Sequence, residues 1–296
     1  MKKIGTFFIL TILFTAQLFA QDNLMSLFNE PPQTVYTEAS FKITRIVLGQ
    51  SIVNPGKGNL IFVIQHHFGY VNQGAYDFFG LDQATIRLGF EYGITNWLMI
   101  GVGRSSYGKT YDGNLKVKIL RQSTGKRVMP VSISYFGSLG INTLRQQDKT
   151  IDYYFTNRLT FLNQILIARK FNRRISLQLT PSLIHRNLVA TPQIDNNTWA
   201  LGGGGRFLLT KHTSIDAEYF YLLSKKTAAN YHNSFSIGFN IETGGHVFQV
   251  YVSNSQGIIG QNFIPGSIGD WLKGDVLIGF NITRTFVLKK PKEFRK

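Results

Sequence analysis

The chain has 296 residues, with 32 Lys and Arg against 16 Asp and Glu for a formal charge of +16, 14% aromatic residues, 29 Gly, 8 Pro and no cysteine. The missing cysteine excludes a disulfide framework, so the fold must be held by its core or by a closed sheet. No run of ~18 apolar residues follows the first twenty positions, which excludes a membrane-spanning helix, and frequent Gly and Tyr with sparse Pro suit a large β-structure better than a helical enzyme.

Residues 1–20 read as a secretory signal peptide, with Lys2 and Lys3, an apolar stretch from Ile4 to Phe14, and a cut expected after Ala20. Residues 21–58 are the least regular part and read as an N-terminal periplasmic or lumen segment. Glu30-Pro31-Pro32 interrupts it, residues 41–53 fit either a strand or an inward-folded segment, and residues 54–58 form a turn.

Residues 59–286 carry twelve candidate strands, at 59–66, 85–92, 97–104, 110–121, 131–141, 160–170, 175–185, 198–209, 213–223, 233–242, 246–253 and 275–286. Ile86, Leu88, Phe90 and Tyr92 oppose Thr85, Arg87, Gly89 and Glu91, and Phe235, Ile237, Phe239 and Ile241 oppose Ser234, Ser236, Gly238 and Asn240. This is the period of a strand with one apolar and one polar face. The strand at 160–170 is ambiguous, because Ile165 and Ile167 share a face with Asn163 and Arg169.

Short turns at 93–96, 171–174, 210–212 and 243–245 alternate with long loops at 67–84, 142–159, 186–197, 224–232 and 254–274. The segments at 105–109 and 122–130 are exceptions, one short and one long for its side. Short turns on one rim and long loops on the other predict an all-β transmembrane antiparallel β-barrel of about 12 strands, with short periplasmic turns and longer extracellular loops. A soluble sandwich or lipocalin-like cup fits less well, because the chain exceeds an eight-stranded cup. Residues 287–296, including Lys289, Lys290, Lys292, Arg295 and Lys296, read as a basic periplasmic tail.

The run FFGLDQATIRLGFEYGITNWLMIGVGRSSYGKTYDG, with MPVSIS, LIARKF, HRNLVATP, IETGGHVFQVYVSNSQG and the closing GFNITRTFVLKKP, resembles an uncharacterised outer-membrane β-barrel family of Gram-negative bacteria. The resemblance covers about residues 40–291. It implies a barrel in the bacterial cell outer membrane and brings no activity, substrate or catalytic residue with it. A barrel of this kind often ends on an aromatic, which resembles Phe286 here; the tail after it departs from that pattern.

Several motifs imitate chemistry. Gly103 to Thr110 matches the phosphate-loop pattern, but alternation resumes directly after it at Leu115, Val117 and Ile119, where a phosphate loop would open a helix. His232-Asn233-Ser234 resembles the His-x-Ser pair of outer-membrane phospholipases, yet Ser234 shares the inward face with Ser236 and Phe235 stands where those enzymes have Asn. Gly202 to Gly205 sits inside a strand, where glycine lets a wall bend or another segment approach. His66, His67 and His185 fall near the outer rim and His246 near the periplasmic one, with no carboxylates grouped beside the first three. The expectations are therefore no enzyme, no cofactor, no metal and no nucleic-acid partner.

What remains is the lumen. Arg87, Glu91, Lys116, Lys118, Arg206, Asp216, Glu218 and Glu242 are the inward charge candidates, and His66, His67, Arg104, His185 and Arg186 the outer-rim candidates. The hairpin register is expected to make Arg206 a diagonal neighbour of Asp216 or Glu218. A barrel of this size lies between the ~8-stranded kind filled by side chains and the ~16-stranded aqueous porin. The expectation is a monomeric outer-membrane barrel in contact with lipid, a narrow channel for small solutes or ions; the alternative is a closed barrel with a structural, assembly or partner-binding role.

Overall fold

The computed structural model describes residues 33–146, 153–228 and 230–289. The signal peptide, the Glu30-Pro31-Pro32 break and residues 290–296 of the basic tail lie outside the described residues. Two compact units divide the chain. In the smaller, β1 (Thr34–Tyr36) and β6 (Ser123–Gly125) form a two-stranded antiparallel ribbon.

The larger unit is a closed antiparallel barrel of twelve strands. In chain order these are β2 (Asn59–Tyr70), β3 (Ala84–Gly93), β4 (Leu98–Ser105), β5 (Thr110–Leu120), β7 (Ser132–Asn142), β8 (Leu159–Lys170), β9 (Ile175–Arg186), β10 (Asn197–Leu208), β11 (Thr213–Leu222), β12 (Ser234–Thr243), β13 (His246–Ser253) and β14 (Leu277–Val287). Each pairs with its neighbour in sequence, and β14 closes the ring on β2. No sheet edge is left to be satisfied by water, which is what a strand architecture needs in lipid. No described helix is long and apolar enough to cross a membrane.

The alternation read from the sequence becomes an inside and an outside. In β3, Arg87, Gly89 and Glu91 are buried while Ile86, Leu88 and Phe90 are exposed around the ring. The same holds for Leu177 and Leu179 against Gln178 and Thr180 in β9. An apolar outer belt with polar inner positions is the pattern of a lipid-embedded barrel. In β8 the pattern departs from a polar interior: Leu162, Leu166 and Ala168 point inward, and Ile165, Asn163 and Arg169 outward. Asn163 accepts a hydrogen bond from Tyr135 Oη at 2.6 Å, which satisfies the amide oxygen on the outer face.

The inward leucines of β8 have a partner that explains them. Residues 37–58, before β2, fold into the lumen as a hairpin. Arg45 and Gln50 bridge in antiparallel fashion, Ser51 N–H donates to Thr44 C=O at 2.9 Å, and Ile46 N–H donates to Gly49 C=O at 2.9 Å to close the tip. Both legs pass the periplasmic mouth: Thr37 N–H donates to Gln122 C=O at the base of one leg, and Gly58 N–H donates to Gly93 C=O at the base of the other.

Phe41, Ile46, Val47, Leu48 and Ile52 of this hairpin share one apolar cluster with Phe136, Leu162, Leu166, Ala168, Ile184, Ala200, Phe220, Leu222 and Tyr251 from the wall. So the wall from β7 to β11 carries most of the inward apolar side chains of this cluster, interleaved with polar ones such as Gln178 and Glu218. Gly204 is inward on β10 because the hairpin lies against it: a Cβ there would come within 2.6 Å of Ile46 Cδ1.

The other mouth is closed by the loop between β13 and β14. It carries a short helix, α1 (Gly260–Gly266), whose Phe263 and Ile264 join the same apolar cluster. Phe263 meets Phe220 edge to face at 5.1 Å, and Tyr231 Oη donates to Ile264 C=O at 3.0 Å. Between the hairpin tip and α1 a cavity of only about 20 Å³ remains, room for about one water molecule.

Candidate functional site in the lumen

The site is the hairpin and the ring of side chains that grips it. Strands β3, β5, β9, β11, β12, β13 and β14 all contribute. Glu218 on β11 accepts N–H bonds from Leu48 at 2.7 Å, from Val47 at 3.2 Å and from Gly49 at 3.0 and 3.1 Å. The carboxyl thus takes up the backbone donors of the hairpin tip, which would otherwise be stranded away from water. Lys116 on β5, fully buried, donates to Thr44 C=O at 3.3 Å, Ser51 C=O at 2.9 Å and Val53 C=O at 3.0 Å. One ammonium therefore ties both legs together, using all three of its N–H donors.

Glu91 on β3 accepts from Arg45 Nη1 at 2.6 Å and from Thr44 Oγ1. Amide side chains complete the grip on backbone carbonyls: Gln178 on β9 to Gln50 at 2.8 Å, Gln249 on β13 to Ile46 at 2.7 Å, and Asn281 on β14 to Val47 at 2.9 Å. Near the periplasmic rim Lys42 pairs with Glu242 and donates to Lys211 C=O at 2.7 Å.

A second buried pair stands in the wall beside the tip. Arg87 Nε donates to Asp112 Oδ1 at 2.8 Å, its Nη2 to Asp112 Oδ2, and its Nη1 to Gln65 Oε1 at 3.0 Å. The guanidinium lies flat along the wall, and Gly103 makes that possible, since a Cβ there would sit 2.3 Å from Nη2. The first glycine of the phosphate-loop match serves this contact. The match itself runs from β4 through a single turn into β5, with no helix opening behind it. Around the tip, Arg45, Arg87 and Lys116 face Glu91, Asp112 and Glu218, so the buried charges balance three against three.

The remaining inward candidates separate from this cluster. Lys118 is half-buried and lines a cavity of about 350 Å³ at the periplasmic mouth. Arg206 stands directly opposite Asp216 across the β10–β11 hairpin, where a diagonal relation was expected from the sequence. No ion pair joins it to Asp216 or Glu218 among the described residues: Asp216 accepts from Ser214 Oγ at 2.8 Å, Glu218 is occupied by the hairpin, and Arg206 Nε is buried with no partner. A buried cation without a direct ion pair is a cost that an apolar side chain removes. Arg206→Met is therefore expected to leave the stability of the folded barrel against urea unchanged or higher, and a fall of more than about 1 kcal/mol would show that the charge is held by Asp216 opposite it.

The outer-rim candidates do not converge. His66 faces outward, stacked on Phe280 at 4.8 Å. His185 also faces outward and meets Asn197 Oδ1 at 2.7 Å through Nδ1. Arg104 lies exposed over the Tyr111 ring. His67 points inward on β2, where Nδ1 meets Gln256 C=O at 3.2 Å, while Arg186 points inward from β9, six strands away around the ring. Among the described residues no group of three or more His, Cys, Asp or Glu could hold a metal ion. Ser234 is buried on the inner face, and no hydrogen bond joins it to His232.

Sequence reasoning missed Asp112, Gln178, Gln249 and Asn281, all carboxylate or amide side chains at inward positions of otherwise ordinary strands. Their shared signal is an acceptor or amide reaching into the barrel at mid-strand, and its meaning appears only once a backbone lies opposite.

Comparison with known proteins gives a family and remote structural relatives. A family model described as a membrane bound beta barrel domain matches residues 41–286. No curated protein matches the chain. Among solved structures, a NanC porin is similar at 8% identity over 77% of this chain and 98% of its own, with a TM-score of 0.49. A KdgM porin is similar at 11% identity over 77% and 99%, with a TM-score of 0.47. An active-site mutant of outer membrane phospholipase A from Escherichia coli is similar at 11% identity over 78% and 91%, with a TM-score of 0.42.

Proposed function

The chain belongs to the family of membrane-bound β-barrel domains, and from that premise we propose that it is an outer-membrane conduit held shut at rest by its own residues 39–53. The protein is an outer-membrane β-barrel; the passage and its gate are the proposal. One observation carries it: side chains from five of the twelve strands grip the backbone of the hairpin. Backbone-directed contacts hold a segment through groups that every residue carries. They also exchange readily for water when the segment leaves, because every donor and acceptor involved is a strong water binder. The permeant is a small solute or ion, since the lumen of a twelve-stranded barrel is narrow even when emptied.

A planar bilayer tests this reading. Purified full-length protein is expected to give a quiet baseline over many insertions. The variant lacking residues 39–53 is expected to give sustained single-channel steps. Equal steps from both would show that the hairpin does not close the lumen, and silence from both would favour a closed barrel with a structural or assembly role.

A further inference from the structure

The outer mouth holds a second feature that the hairpin does not use. Above α1 lies an open cavity of about 370 Å³, lined among others by Arg158, Arg186, Tyr107, Tyr153, Asn157 and Asn262. No carboxylate lines it among the described residues. Its volume lies in the ~300–1,000 Å³ range of small-molecule sites. Its floor is α1 itself, so what enters is held at the mouth.

Both guanidiniums lack an anionic partner among the described residues. Arg158 donates to the carbonyls of Asn142 at 3.1 Å and Leu144 at 2.8 Å and stacks over the Tyr153 ring at 4.7 Å, which fixes its plane. Arg186 has only a long contact, 3.5 Å from Nη2 to Thr198 Oγ1, and its Nε is buried with no acceptor. An arginine fork without a carboxylate partner, in a cavity whose described lining holds no acid, suits a planar carboxylate or a phosphate. Amide side chains beside it supply donors and acceptors for hydroxyl groups. Burial raises the pKa of Tyr107, so its hydroxyl stays neutral and keeps its proton.

We propose that the outer mouth binds a small hydroxylated acid of monosaccharide size, with its anionic group on Arg186 and its hydroxyls on the surrounding amides and tyrosines. The site acts at the rim and stands whether or not the lumen ever opens. The basic surplus of the chain favours the approach of such a ligand.

Isothermal titration of the purified full-length protein in detergent tests it, with glucuronate, glucose and inorganic phosphate as probes. Glucuronate is expected to bind at least tenfold more tightly than glucose, with phosphate competing against it. Arg186→Gln is expected to weaken glucuronate at least tenfold, and Arg186→Lys less, because a lysine keeps the charge and loses the fork. Folding of each variant is checked by its heat-modified gel mobility; should Arg186→Gln not fold, the Arg186→Lys loss decides. Equal affinity for glucose and glucuronate, no glucuronate binding, or glucuronate affinity unchanged in both variants would overturn the proposal. A glucuronate signal seen only when anionic glycolipid is added back would also overturn it, since the ligand would then be the membrane's own.

Discussion

Lys116→Met is expected to lower the stability of the barrel against urea by about 3–5 kcal/mol, the loss typical of one member of a buried charged set. Methionine keeps the length and bulk of the side chain, so the change reads the charge and its hydrogen bonds. Three carbonyls, of Thr44, Ser51 and Val53, lose their donor at once. Both legs of the hairpin lose their common anchor, and Glu91 loses one of the cations around it while keeping Arg45 and Thr44. Tryptophan fluorescence during urea unfolding from lipid vesicles gives the midpoint. The same variant is expected to flicker open in a planar bilayer where the wild type is quiet. In the background lacking residues 39–53 the three carbonyl partners are gone or released, so Lys116→Met should then cost less than half as much. A loss below about 1 kcal/mol in the full-length protein would show that water already reaches Nζ and that the hairpin is held by other means.

Asp112→Leu is expected to cost a similar amount, about 3–5 kcal/mol, by a different route. It leaves the Arg87 guanidinium, 1% exposed at its side chain, without the carboxylate that takes two of its donors. The balance of three cations against three anions around the tip is lost with it. Removing both partners in Arg87→Met with Asp112→Leu should restore most of the stability, because a buried pair replaced by apolar groups is often neutral. Neither residue hydrogen-bonds the hairpin, so both variants should remain silent in the bilayer. That silence separates wall stability from gating. Conductance in Asp112→Leu would mean that the wall pair and the hairpin form one cooperative unit.

The barrel was legible because its signal is local. Two-residue alternation at Ile86 to Tyr92 or Phe235 to Ile241 needs no knowledge of the partner strand, only of which face meets lipid. Turn and loop lengths then ordered the strands. The lumen was legible only in part, because its chemistry is set by what lies across from each residue. Glu218 was recognisable as inward, but its partners are backbone N–H groups, and every residue type carries one. Leu162, Leu166 and Ala168 on β8 broke the polar-inside rule for the same reason: the rule describes a wet lumen, and theirs faces Phe41, Ile46 and Ile52. Arg206 failed in the opposite direction. Its charge suggested a partner, and register placed Asp216 opposite, yet Asp216 turns to Ser214.

The hairpin enters and leaves through one rim, and that has a mechanical consequence. Thr37 and Gly58 both lie at that rim, so the segment between them can be seated after the wall has zipped shut and drawn out again without opening a strand pair. A pull applied at Thr37 from the periplasm loads its bond to Gln122 and that of Glu38 to Lys170 first, then Lys42, then Thr44 and Arg45, then the turn at Glu218, and last Ser51 and Val53. The bonds are loaded in series, as in peeling tape, and not in parallel, as in shearing a lap joint. A closure that resists equilibrium unfolding can therefore yield to a modest directed force, provided the force comes from the periplasmic side.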